Sequence, residues 1–135
     1  MKNRADARLW LARLFIGLVI AWNLQAALVF FLSPSAFAPG FELSGVPGAA
    51  ALRGIAILFV MWNVPYAAAF WQPRRNLLSL KEALAMQFIG LAGESFIYGS
   101  LAPEHFALKA SISRFIAFDG AGLILLAAAF FLARK

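Results

Sequence analysis

The stretch Leu9–Leu32, LWLARLFIGLVIAWNLQAALVFFL, is apolar except at Arg13, Asn23 and Gln25. A helix rising about 1.5 Å per residue needs roughly 20 such residues to cross the hydrocarbon of a bilayer. Open backbone does not survive in lipid, and the run lacks the period-2 alternation of a barrel strand, so it reads as a transmembrane helix. Three more apolar runs follow, at about 49–71, 83–101 and 112–133. The whole 135-residue chain is 63% hydrophobic and 13% charged, against about 25% charged in an ordinary soluble domain. The expectation is an all-α integral membrane protein. It forms a single domain over residues 1–135, an antiparallel bundle of four transmembrane helices with spans at about 9–32, 49–71, 83–101 and 112–133.

Lys2, Arg4 and Arg8 ahead of an apolar run also fit a secretory signal. The run is longer than the roughly 7–15 residues of a signal core, and Pro39 follows the nearest small-residue site, Ala36 to Ala38. A retained span is therefore expected.

Basic residues set the orientation. Lys2, Arg4, Arg8, Arg13, Arg74, Arg75, Lys81, Arg134 and Lys135 fall on one side, and only Arg53, Lys109 and Arg114 on the other. The positive-inside rule makes the richer side cytoplasmic, with both termini in and with Trp10 and Trp71 at that interface. The expected location is the plasma membrane, the inner membrane if the source is a bacterium. The net charge of +6 is spread over span ends and does not gather on one face, so the bilayer is the expected partner and nucleic acid is not.

The chain has no cysteine and one histidine, His105, outside any apolar run. Thiolate metal sites, iron–sulfur clusters and bis-histidine haem within the membrane are excluded, and neither a cofactor nor a metal is expected. Ser33–Gly48, SPSAFAPGFELSGVPG, carries three prolines and three glycines. A regular helix is not expected there, but Phe37, Phe41 and Leu43 suit a cap lying on the bundle. Ser79 followed by Glu82 resembles a capping box opening the third span.

Ionisable groups within spans are costly and usually face a bundle interior. Glu94 and Asp119 each lie seven residues in from the outer ends of their spans, and Asn23 sits at a similar level, with Asn63 deeper. At about 100° per residue Gln87, Glu94 and Tyr98 share one face. Arg114 is about 140° round the helix from Asp119, too far to pair. Arg53 is then the expected partner of Asp119. Trp22 and Trp62 lie mid-span, each followed by Asn, and their indoles need acceptors. The candidate ligand-binding set is Glu94, Asp119, Asn23, Arg53, Tyr98, Asn63, Gln87, Trp22, Trp62 and Arg114, with no catalytic or metal-binding residue. The small-residue pairs Gly17/Ala21, Ser95/Gly99 and Ala117/Ala121 are expected at close helix contacts.

A basic N-terminus, SPSAF (Ser33–Phe37) after the first span, Arg53-Gly54 opening the second, and IGLAGES (Ile89–Ser95) in the third form a layout. It resembles the DoxX-like group of small four-helix bacterial membrane proteins. The resemblance implies the four-helix fold; many members have no assigned activity, and one is associated with a quinone-linked oxidoreductase. The residues themselves point to binding of a small amphipathic or lipid-like molecule, or of a partner membrane protein, in a polar cavity of the outer half. A proton- or cation-coupled transporter, working as a homo-oligomer, is one alternative. An intramembrane acid–base enzyme on a lipid-soluble substrate is the other, although no nucleophile–base set is present.

Overall fold

The computed structural model describes the backbone of residues 2–134 and the side chains of residues 6–134. Lys2, Arg4 and Lys135, counted above for orientation, lie outside the described side chains. The fold is helical: α1 (Lys2–Leu32), α2 (Pro34–Phe37), a 3-10 turn (Ala38–Phe41), α3 (Gly45–Trp71), α4 (Leu77–Ser100) and α5 (Phe106–Ala133). Three of them, over Asp6–Leu32, Gly45–Trp71 and Phe106–Ala133, are long and apolar enough to cross a membrane. The fourth long helix, α4, has 24 residues but dilutes its apolar run with Ser79, Lys81, Glu82, Gln87, Glu94 and Ser95.

The four long helices pack in the cyclic order α1, α3, α4, α5. Short connections make neighbours antiparallel, as in an up-and-down bundle. Small residues at the contacts, Ala12, Ala56, Ala69, Ala83 and Ala129, are buried alongside Ile16, Leu52, Leu80 and Leu126. The outward faces carry Leu28, Val64, Phe88, Ile89, Phe96 and Ile124, all exposed. A water-soluble bundle inverts that distribution, so the apolar exterior agrees with a membrane protein.

Helix ends are more extended than the apolar runs. α3 begins at Gly45 and takes Pro47 into its first turn, where a missing N–H costs nothing. α4 opens at Leu77 with Asn76 before it, which places Ser79 and Glu82 inside the helix. The capping box is therefore not formed; the Asn76 side chain instead donates to Ala68 O at 2.6 Å and ties the loop to the end of α3. The proline-rich connection does hold helical turns, α2 with Pro34 at its start and a 3-10 turn with Pro39 at its start. Each is only one turn long, as proline at the first position and the left-handed Glu42 (φ 56°) at the end dictate.

Two arginines act at the ends of α1 and α3. Arg13 Nη2 on α1 donates to Trp71 O, the last carbonyl of α3, at 3.0 Å. Arg53 Nε on α3 reaches Phe31 O in the last turn of α1 at 3.4 Å. Each antiparallel helix thus supplies a cation to the C-terminal carbonyls of the other, where the helix dipole is negative.

Of the small-residue pairs, Gly17 is at a contact, with the Phe70 ring 3.1 Å from where a Cβ would stand. Gly99 meets nothing within 4 Å, and Ser95, Ala21 and Ala117 are exposed. Those positions do not form helix contacts within this chain.

Candidate functional site

Four helices converge on a narrow cleft lined by Trp22, Asn23, Gln25 and Ala26 of α1, Phe59, Trp62 and Tyr66 of α3, Met86, Gln87 and Glu94 of α4, and Phe115, Phe118 and Asp119 of α5. Its interior volume is only about 50 Å³, room for a few water-sized groups. A larger chamber of about 440 Å³ lies beside it under the cap, lined by Val29, Phe30, Phe37, Phe41, Ser111 and Arg114 among others. Gln25, Ala26, Phe115 and Phe118 line both spaces. Chamber and cleft therefore meet at a shared wall. The upper one is mainly apolar, with Phe30, Phe37, Phe41, Phe115 and Phe118 in its lining and Phe30 packed on Phe37, Phe41, Phe59 and Phe115 at ring-centroid separations of 5.3 to 6.2 Å.

A chain of polar groups runs along the cleft. The Tyr66 hydroxyl donates to Gln87 Oε1 at 2.6 Å and is also 3.2 Å from Ala83 O. Gln87 Nε2 donates to Asp119 Oδ1 at 2.8 Å. The Glu94 carboxyl is the neighbour of Asp119 across the α4–α5 interface, and Glu94 Oε2 is buried with no hydrogen-bond partner among the described residues. The two acids do not sit at one backbone level. Asp119 faces Gln87 and Gly90, one helical turn from Glu94. Side chains lean towards the N-terminus of their own helix. In antiparallel α4 and α5 that lean carries Glu94 and Asp119 towards each other, which closes the gap.

Two glycines make the arrangement possible. A Cβ on Gly90 would collide with Asp119 Oδ2, and one on Gly122 would stand 2.5 Å from Gln87 Nε2 and 3.0 Å from its Cδ. Each helix leaves a notch for the polar side chain of the other.

Six of the ten candidate residues line the cleft: Trp22, Asn23, Trp62, Gln87, Glu94 and Asp119. The other four do not. Arg53 is at the end of α1, bonded to Phe31 O, so Asp119 takes an amide donor where the sequence suggested a guanidinium. Asn63 is buried but donates to Phe59 O in its own helix at 2.7 Å, its Oδ1 without a partner among the described residues. Tyr98 turns outward, its ring 5.3 Å from the Lys109 ammonium and the residue 40% exposed. Arg114 borders the upper chamber, folded back on Ala110 O at 3.2 Å and Ser111 Oγ at 3.3 Å. Neither mid-span indole donates a hydrogen bond among the described residues; Trp22 rests on Phe118 at 6.0 Å and Trp62 on Phe59 at 5.6 Å. Tyr66 and Gln25 are the polar members outside the candidate set. Tyr66 recurs three residues after Asn63, on one helix face.

The cap is fastened to α5 at two points. Ser111 Oγ donates to Gly40 O at 2.5 Å, and Glu42 Oε2 pairs with His105 Nδ1 at 2.6 Å. The hydrogen bond to His105 holds the Glu42 carboxyl below its usual range, and Glu42 in turn raises His105. A lowered acid contributes stability above its ordinary value of 4.5 that fades as pH falls through the lowered one. A raised histidine contributes below its ordinary 6.5 and loses it as pH rises through the raised value. The latch is therefore fully made between those ordinary values. In NMR titrations His105 is expected to titrate above 6.5 and to return there in Glu42→Gln; an unchanged His105 in that variant would remove the latch.

No protein-family model, curated protein or solved structure matches the chain.

Proposed function

We propose that the chain is a four-span inner-membrane-type protein that binds a small amphipathic molecule, its apolar body in the chamber under the cap and its polar end in the cleft. The observation that carries this is the adjacency of a phenylalanine-lined chamber of about 440 Å³ to a narrow polar cleft, across a wall of Gln25, Ala26, Phe115 and Phe118. Small-molecule sites combine those two properties, mostly apolar walls and a few convergent polar groups, at about 300–1,000 Å³. The test uses Trp10→Phe/Trp71→Phe protein in nanodiscs, where Trp22 and Trp62 are the remaining indoles. Saturable quenching by 12-bromododecan-1-ol is expected at low mole fraction, and Phe115→Trp should weaken it by narrowing the shared wall. Quenching that rises linearly, as for a lipid-exposed indole, would overturn the reading.

The fourth span is α4. Its 24 residues extend about 36 Å. Gln87 and Glu94 turn inward while Phe88, Ile89, Phe96 and Ile97 face out. The N-in, C-in orientation rests on the basic count, with Arg8, Arg13, Arg74, Arg75, Lys81 and Arg134 at one end and Arg53, Lys109 and Arg114 at the cap end. Single-cysteine labelling decides it. Glu42→Cys should react with an impermeant reagent in intact cells and Asn76→Cys should not; the reverse pattern inverts the topology.

The adjacency of Glu94 and Asp119 favours a second reading, proton- or cation-coupled transport. Neighbouring acids titrate as a coupled pair, so a cation arriving between them displaces a proton. Calorimetry in two buffers of different ionisation enthalpy counts that proton, and a count of zero from about pH 5 to about pH 8 would exclude this mode.

A further inference from the structure

Charge and space within the cleft restrict what its polar end receives. The cleft is lined by two carboxyl side chains and no lysine, arginine or histidine. Gln87 spends its amide donor on Asp119, and the Tyr66 hydroxyl donates to Gln87. Those donors are committed, and Glu94 Oε2 remains a buried acceptor with no partner among the described residues. Asn23 and Gln25 add further amide groups at the α1 wall. What the cleft lacks, among the described residues, is a cation. A carboxylate or phosphate would meet like charge there, whereas a positive donor would complete the unpaired acceptor.

The surrounding rings agree. Trp22, Trp62, Phe59, Phe115 and Phe118 border the same space, and aromatic faces attract cations, more strongly where water is excluded. The volume of about 50 Å³ admits a compact head and not a bulky one. The charged group nearest the route is Arg114, which borders the chamber and not the cleft, with its guanidinium folded back on α5.

Building on the binding reading above, we infer that the ligand is a lipophilic primary amine, its ammonium seated between Glu94 and Asp119 and its apolar chain in the aromatic chamber. The ammonium donates to Glu94 Oε2 and to the free lone pairs of Asp119, while Gln87 holds Asp119 in place from the other side.

Three brominated probes of one chain length separate the possibilities: 12-bromododecylamine, 12-bromododecan-1-ol and 12-bromododecanoate. Each is titrated against Trp22 and Trp62 fluorescence in zwitterionic nanodiscs at pH 7. The amine is expected to bind at least about tenfold more tightly than the alcohol, and the carboxylate more weakly than either; about tenfold corresponds to about 1.4 kcal/mol. Glu94→Gln and Asp119→Asn, which keep size and most hydrogen bonding, should bring amine and alcohol within about twofold of each other. Equal amine and alcohol binding in the wild type would overturn the amine assignment and leave amphiphile binding standing. An amine preference that persists in both variants would likewise overturn it. Saturable binding of none of the three would overturn the assignment together with the binding reading on which it rests.

Discussion

Asp119→Ala is expected to destabilise the bundle by about 1–3 kcal/mol, because it takes from the buried Gln87 amide its 2.8 Å acceptor and leaves it only the residue-119 carbonyl at 3.4 Å. The loss belongs to the poorly satisfied donor more than to the carboxylate. Gln87→Leu should behave differently: Tyr66 then keeps Ala83 O at 3.2 Å as an acceptor, and Asp119, an acceptor only, loses a donor. Combining Gln87→Leu with Asp119→Leu removes donor and acceptor together, so the double variant should cost clearly less than the sum of its singles. Such non-additivity is expected for groups in one hydrogen-bond network. Unfolding free energies from denaturant titration in mixed micelles give all four corners of the cycle. Additive losses would mean that Gln87 and Asp119 do not act as a unit, and the polar chain would then carry no energetic weight.

That chain shows how far the sequence alone reaches. Three of the four long helices were legible because hydrophobic length is a one-dimensional property, and a run of some 20 apolar residues has one structural solution in lipid. The shared face of Gln87 and Glu94 and the cost that drives Asp119 inward were also legible, but the sequence pointed to Arg53 as the partner of Asp119 and not to Gln87. Three other placements needed the rotation of one helix against another, which periodicity does not contain. Tyr98 shares the angular sector of Glu94, yet the cap-end half of α4 is largely exposed, so the same face that is interior at Gln87 is outside at Tyr98. Arg53 was expected to pair with Asp119 and Arg13 to mark the basic side, and both are carbonyl partners at the ends of neighbouring helices. Tyr66 lay outside the candidate set; its bond to Gln87 depends on how α3 faces α4.

Level was the other missing coordinate. Counting from span ends put Glu94 and Asp119 at one depth, but α5 starts at Phe106 and its backbone is displaced by about a turn from that register. The opposed lean of side chains on antiparallel helices restores the contact. Backbone register and side-chain direction made compensating contributions, and only one of the two can be estimated from a sequence.

The glycines carry the second large expectation, a change of sign between positions three residues apart. Gly→Ala within a helix ordinarily stabilises by about 0.5–1 kcal/mol, through lost backbone entropy in the unfolded chain. Gly93→Ala and Gly99→Ala should follow that rule, since a Cβ at either meets nothing within 4 Å. Gly90→Ala should break it, because its Cβ occupies the notch that holds Asp119 Oδ2. Gly122→Ala should break it too, with Gln87 Nε2 only 2.5 Å away. The obstructing atoms are ends of side chains and can swing aside, but Gln87 and Asp119 are bonded to each other, so moving one breaks the chain. Overpacking of this kind costs about 1–3 kcal/mol. The clash has a specific remedy: Gly122→Ala combined with Gln87→Ala removes the obstructing amide, and the pair should be more stable than the sum of the two singles predicts. Ligand binding adds a second readout, since Gly90→Ala displaces a carboxylate and should weaken 12-bromododecylamine more than 12-bromododecan-1-ol, while Gly93→Ala changes neither. If Gly90→Ala proves as benign as Gly93→Ala in both measurements, Asp119 does not occupy that notch. The polar cleft would then have to be rebuilt around Glu94 alone.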